Sequence, residues 1–257
     1  MNSDEDIFWS FIGAGFGAWT FFKGFRVLRN KRLVENTPTS KCRSVAMGYV
    51  EVTGKAVGDL TVPSLIGQVP CYCSEIKIER YEKRGKSSSW HEVHKRSKTV
   101  DFYVEDDTGR VRVNPAEAEF DLTCDLEYEA QSGIVTWLKE AFSSADVQTR
   151  PIHDLFYSYC IAQGVGWRGP MRFKECNLCP GGPVYVLGTA TEVSGVQDEN
   201  LRVLIRKGKH HPWFFIAEAS QKDVLQKLGR NTWLYILGGM ALTLICLGWF
   251  LGRIGML

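Results

Sequence analysis

Val100-Asp-Phe-Tyr-Val-Glu-Asp-Asp-Thr-Gly-Arg-Val-Arg-Val113 decides the fold class. Two runs rich in β-branched and aromatic residues flank Asp106-Asp-Thr-Gly109, a polar turn whose glycine can take positive φ. The stretch is a β-hairpin, and its surroundings repeat the theme. Upstream, Val50-Glu-Val-Thr-Gly-Lys-Ala-Val57 alternates as a half-buried strand does, with Gly48 and Gly54 as punctuation. Cys73-Ser-Glu-Ile-Lys-Ile-Glu-Arg-Tyr-Glu82 alternates again, and 83–89 reads as a hairpin tip whose return strand begins near Trp90. Downstream, 183–193, 201–205 and 213–216 supply three further strands.

Helical signals are fewer. Ile134, Trp137, Leu138, Ala141 and Phe142 fall at helical spacing, as do Ile152, Leu155, Phe156 and Tyr159. Ser220 as N-cap, with Asp223 in the first turn, starts a short helix near the end of the soluble segment. Together these predict an α+β, mainly antiparallel β, soluble domain over 43–221. Gly48-Tyr-Val-Glu-Val-Thr-Gly54 and Gly188-Thr-Ala-Thr-Glu-Val-Ser-Gly195 share a pattern, an internal duplication or two ordinary glycine-rich strand entries.

Two apolar segments bracket that domain. Ile7 to Phe22 carries no charge, and 16 residues of helix cover ~24 Å, against a hydrocarbon core of roughly 30 Å. Continuation to Leu28, with Lys23 and Arg26 snorkelling, makes up the difference. Thr232 to Gly252 is also uncharged and long enough to span, with Trp233, Tyr235 and Trp249 towards its ends, where aromatic rings prefer the headgroup level. The expected organisation is therefore a transmembrane helix over 7–28, the β-rich domain over 43–221 and a second transmembrane helix over 232–252. A cleaved signal peptide needs positive charge before its apolar run, whereas Asp4, Glu5 and Asp6 precede this one and Lys23, Arg26, Arg29, Lys31 and Arg32 follow it. Lys222, Lys227 and Arg230 precede the second segment and only Arg253 follows it. The Lys/Arg excess places the domain on the cytoplasmic face, with both termini opposite.

The net charge of +2 gives no argument for nucleic acid as a partner. Eight cysteines without framework spacing suit a reducing compartment better than a disulfide scaffold.

The order of these features resembles one family, the GIDE domain, also called the beside-a-membrane (BAM) domain. The resemblance rests on Gly48-Tyr-Val-Glu-Val-Thr-Gly-Lys-Ala56, Val69-Pro-Cys-Tyr72, Phe102 to Pro115 and Pro180-Gly-Gly-Pro-Val-Tyr-Val-Leu-Gly188, and it covers nearly the whole chain. Phe102-Tyr-Val-Glu-Asp-Asp-Thr-Gly109 is its most specific element. Eukaryotic relatives, among them the mitochondrial ubiquitin ligase activator, carry a RING zinc domain after the second membrane helix. This chain stops five residues beyond Gly252, without the eight Cys/His ligands that a RING needs. The resemblance then implies the membrane-tethered domain and not the ligase activity.

Motifs of chemical interest are weak. Cys176-Asn-Leu-Cys179 has zinc-knuckle spacing, and Cys71, Cys73 or His210-His211 would have to complete the site. Two free thiols beside a Pro-Gly turn is the preferred reading. His91 and His94 sit one residue short of the helical zinc-protease spacing, on a strand that points them to opposite sides. Asp107-Thr-Gly109 lacks the apolar flanks of the aspartic-protease tripeptide. The Gly85-Lys-Ser87 ending has Arg80 where a phosphate-binding loop needs its first glycine. Cys160 and His153 read as core packing. No catalytic residue, cofactor or resident metal is expected.

Lys83, Arg84, Lys86, Lys95, Arg96 and Lys98 cluster on one hairpin, which is either a solvated loop or a surface for anionic headgroups. Gly13 and Gly17, extended by Ala14 and Ala18, and Gly248 and Gly252, with Gly238 and Ala241, present small-residue faces suited to helix packing or to a homo-oligomer. The functional expectation is a non-catalytic interaction or sensor domain at the bilayer, with an unidentified protein partner. Alternatives are a ligase-like component needing a RING from another chain, and a membrane-organising protein acting through helix association.

Overall fold

A computed structural model describes residues 3–84, 87–130, 150–193, 202–209, 213–219 and 221–254. The chain divides into two units, residues 40–218 and a helical unit of 1–39 with 219–257.

In the first unit the strands are β1 (Gly48–Val57), β2 (Val62–Pro63), β3 (Pro70–Cys71), β4 (Cys73–Arg84), β5 (Ser87–Thr99), β6 (Phe102–Glu105), β7 (Arg110–Val113), β8 (Glu119–Asp121), β9 (Cys124–Ala130), β10 (Met171–Leu178), β11 (Pro183–Glu192), β12 (Val203–Arg206) and β13 (Phe215–Ala217). The largest sheet has the order β1-β6-β7-β12-β11-β13-β8. Because β1 also pairs with β11 from Gly48↔Ala190 to Lys55↔Pro183, five strands close into a ring. Only β7–β12 is parallel within that ring. Closure follows from alternation: Val50, Val52, Phe102, Val104, Val111, Val113, Val184, Val186 and Ile205 point inward into one buried cluster. Two glycines make it possible. A Cβ on Gly54 would collide with the carbonyl of Glu105, and one on Gly188 would sit 2.7 Å from the Phe214 ring. The two similar Gly-rich segments of the sequence are thus partners in one ladder.

A second sheet, β5-β4-β10-β9, carries its own core beneath a helix, α2 (Arg150–Gln163). Ile76, Ile78, Met171, Phe173, Phe156 and Cys160 are buried there, and the Phe156 and Phe173 rings lie 4.5 Å apart. Its exposed face is a lattice of ion pairs. Lys77 and Lys95 stand opposite each other, a repulsive arrangement, and Glu75 between them receives both, at 2.6 and 2.8 Å.

The helical unit consists of α1 (Ser3–Asn36) and α3 (Gln221–Ile254). They run antiparallel: Gly13 faces Cys246, Gly17 faces Thr243 and Gly239, Phe21 faces Gly239, and Gly24 faces Ile236. The C-terminal helix is long and apolar enough to cross a membrane over 223–252, with mean hydropathy 2.0 and 6% of the most apolar stretch buried. The N-terminal helix does not meet that measure among the described residues.

The structure therefore gives a mixed α+β, largely β, domain, and it revises several boundaries. The β5 strand starts at Ser87 and not near Trp90, because polar serines pair through their backbones as readily as apolar residues do. The short helix expected near 220 is the first part of one continuous helix. Leu155, read as part of the inner face of α2, is 49% exposed while Cys160 is buried. The proposed helix around Ile134–Phe142 lies outside the described residues.

Candidate functional site

Around the hairpin turn, Asp106 Oδ1 accepts from the Thr108 N–H (2.7 Å), the Thr108 hydroxyl (2.6 Å) and the Gly109 N–H (3.1 Å). Its Oδ2 accepts from the Cys42 N–H at 2.9 Å, and Lys41 pairs with Asp107. The segment that follows α1 is thus clamped onto the β6–β7 turn. Burial alone would raise the Asp106 pKa, but these hydrogen bonds outweigh it and hold the carboxyl at about 2. Asp107-Thr-Gly109 is turn chemistry, its Thr108 and Gly109 held by the Asp106 carboxylate.

Glu175, 1% exposed, was not singled out in the sequence. Its carboxylate accepts from the N–H groups of Ile66 (2.6 Å) and Gly67 (2.9 Å) and from the Ser64 hydroxyl (3.3 Å). It organises the 64–69 loop, where Gln68 takes φ 53. Its position on β10, between Phe173 and Asn177, was the available signal.

The cysteines require a correction. Cys176 is bonded to Cys124 of the neighbouring strand, so it is neither a free thiol nor a thiolate ligand. The partner lies 52 residues away and meets Cys176 only because β9 pairs with β10, which local spacing does not reveal. Cys179 keeps its thiol, raised by burial and by Asp125 and Glu218. Burial also pushes Cys42 up to about 12 and Cys71 up to about 11, and raises Cys73 and Cys160. Such thiols are poor nucleophiles. His153 stacks on Tyr157 and contacts Trp167, with no hydrogen bond to Cys160. His91 meets Ser89 at 2.8 Å, and His94 meets Tyr159 at 3.2 Å. Among the described residues, no three Cys, His, Asp or Glu side chains gather as a metal site. His210 and His211 lie outside them.

The six basic residues of the hairpin are not one cluster. Lys95 is opposite Lys77, six residues along β4 from Lys83, which is roughly 20 Å of strand. Lys95 is paired with Glu75, Arg96 donates to Gln163 at 2.6 Å, and Lys98 donates to the Pro63 carbonyl at 3.3 Å. Lys83 is exposed near the tip; the Arg84 side chain and Lys86 lie outside the described residues.

In the helix pair, an added Cβ on Gly17 would stand 2.5 Å from the Thr243 hydroxyl and 2.8 Å from its backbone nitrogen. One on Gly13 would stand 2.6 Å from Cys246 Sγ. Gly248 and Gly252 meet nothing within 4 Å; the glycine of α3 at the crossing is Gly239, where a Cβ would come 2.5 Å from the Phe21 nitrogen. Four-residue spacing alone does not reveal which face of α3 turns towards α1 within the chain.

No curated protein and no solved structure matches the chain. The model of one family, described as "GIDE: E3 Ubiquitin ligase", matches residues 74–251, more than two thirds of the chain and all strands from β5 to β13. The chain belongs to the GIDE family.

Proposed function

We propose that this chain is a membrane-held, non-catalytic interaction module whose β-rich domain is presented at the bilayer surface by two helices. The observation that carries the reading is the antiparallel helix pair. Its outer surface bears Trp9, Phe16, Trp19 and Phe22 on α1 and Leu234, Leu244, Ile245 and Trp249 on α3, each well over a third exposed. Water would penalise so much contiguous apolar surface, and a hydrocarbon solvent removes the penalty. Lys23, over the rings of Trp19 and Tyr235 at 5.2 Å from each, marks a level where charge and aromatic rings suit the headgroup layer. A surface role, with a protein partner still to be identified, is favoured over chemistry because burial raises the pKa of Cys42, Cys71 and Cys160 and so disfavours the thiolate.

The family's description supports a second reading, a ligase-like component that recruits a RING from another chain. Reconstitution of the full chain in phosphatidylcholine nanodiscs with ubiquitin, activating enzyme and conjugating enzyme separates the two. The expected result is no ubiquitin chain formation, together with recovery of a crosslinked protein partner from native membranes. Chain formation by this protein alone overturns the non-catalytic reading.

A further inference from the structure

On the side of β11 and β12 away from the ring's core lies a cavity of about 540 Å³, within the size range of small-ligand sites. The ladder explains who lines it. Thr189 pairs with Arg206 and Thr191 with Leu204, so all four side chains share one face. The turn after β7 forms one wall, with Asn114 accepting from the Ala116 N–H at 3.1 Å and Glu117 held at φ 65. The 206–209 segment forms the other wall, and Lys207 ties the two together through Glu117 at 2.9 Å.

Most polar groups here are already satisfied. The Asn114 amide donates to Asp101 at 2.8 Å, and the Thr191 hydroxyl donates to the Leu204 carbonyl at 3.2 Å. Three are not. The Thr189 hydroxyl is closed off from solvent and has no hydrogen-bond partner. It lies under Gly208, where a Cβ would collide with it. Arg206 and Lys209 line the same cavity with no ion pair or side-chain hydrogen bond among the described residues. A buried hydroxyl without a partner carries a desolvation cost that a bound acceptor would remove.

We propose that this cavity binds a phosphate monoester. The charge count selects it: Glu117 cancels Lys207, leaving two positive charges, and a phosphate monoester carries about −1.5 to −2 at pH 7. Arg206 supplies planar donors suited to phosphate oxygens, Lys209 a second cation and Thr189 a hydroxyl donor once Gly208 shifts off it. Ala116 and Leu204 give the organic part of the ester an apolar wall. The ester is either soluble or the headgroup of a phosphatidic acid-like lipid. The proposal does not rest on the membrane reading.

The test uses the full chain, in nonionic detergent with phenyl phosphate and in phosphatidylcholine nanodiscs with added phosphatidic acid. Isothermal titration should give saturable binding of phenyl phosphate for a soluble ligand, or retention of phosphatidic acid alone for a lipid one. The Arg206→Gln/Lys209→Gln double variant should weaken binding by about tenfold or more. Phenyl sulfate, the singly charged analogue, should bind about tenfold or more weakly than phenyl phosphate. Thr189→Val should weaken binding while leaving the ligand-free melting temperature unchanged or higher, which a merely structural hydroxyl would not do. Absence of binding of either probe, equal affinity for the sulfate, or unchanged affinity in the double variant overturns the proposal.

Discussion

Asp106 and its neighbour Asp107 differ in kind although they are adjacent. Asp107 is exposed and meets a fully solvated lysine, an arrangement worth little in water. Asp106 takes four hydrogen bonds, one of them from a residue 64 positions away, and so fastens the start of the domain to its most legible hairpin. Asp106→Asn would turn an amide N–H towards at least one N–H donor, and should cost about 1–2 kcal/mol of stability at neutral pH. Asp107→Asn should leave the melting temperature unchanged. The acid dependence follows from the depressed pKa. The folded form holds Asp106 at about 2, below its ordinary value of 3.8, so its stabilisation is complete above the unfolded value and is lost as pH falls from there towards 2. Thermal melts across that window should show a steeper acid loss in the wild type than in Asp106→Asn; parallel curves would remove Asp106 from the account. Glu175 also accepts several hydrogen bonds, and it does so with 1% exposure. Glu175→Gln should cost roughly 1–3 kcal/mol, read by chemical denaturation, because an amide cannot accept from Ile66, Gly67 and Ser64 as two carboxylate oxygens do.

At the scale of elements, the strands that were legible in the sequence are those whose inward residues are apolar and whose turns are polar. The β6–β7 hairpin, β1, β4 and β11 all have that form. Of the strands that were missed, the short β2, β3 and β8 among them, the two longest are β9 and β10. In β9, Cys124, Leu126, Tyr128 and Ala130 turn one way, but Asp125, Glu127 and Glu129 between them give a composition that resembles a loop. In β10 the alternation runs from Met171 through Phe173 into Glu175 and Asn177, which are buried polar residues, so the apolar pattern dissolves where the strand is deepest. The disulfide was illegible for the same reason, since it needs β9 and β10 to be neighbours. The helix pair offers the test at this scale. A cysteine at Gly13 would lie against native Cys246, so Gly13→Cys should crosslink to it under mild oxidation. Adding Gly17→Leu should abolish that crosslink, because its side chain would strike the Thr243 backbone, whereas adding Gly248→Leu, which faces open space, should not. Equal crosslinking in both would mean that the helices do not cross at Gly17.

For the whole molecule, the antiparallel pairing of α1 and α3 bears on orientation independently of charge. Contacts run from Gly13 with Cys246 to Gly24 with Ile236, so Ser3 and Ile254 lie at one end of the pair. Asn36 and Gln221, which join the β-rich unit, lie at the other. A pair so arranged cannot cross a bilayer with its termini on opposite sides. On the proposed reading of two spans, the charge distribution chooses between the two remaining orientations. Lys23, Arg26, Arg29, Lys31 and Arg32 on α1, and Lys222, Lys227 and Arg230 on α3, all belong to the end that joins the domain. Lys/Arg near membrane helices favours the cytoplasmic side, so the domain is expected there and both termini opposite. Apolar lengths nearly agree between the helices, since 7–22 holds 16 residues and 236–252 holds 17 beyond the level of Lys23 and Tyr235, ~24 and ~26 Å. Single cysteines at Ser3 and Gly255, each in a background without other reactive thiols, should both be labelled by an impermeant maleimide in intact cells. Labelling of only one would contradict the antiparallel pair. Labelling of neither until lysis would keep the pair and reverse its orientation, leaving the β-rich domain on the outer face.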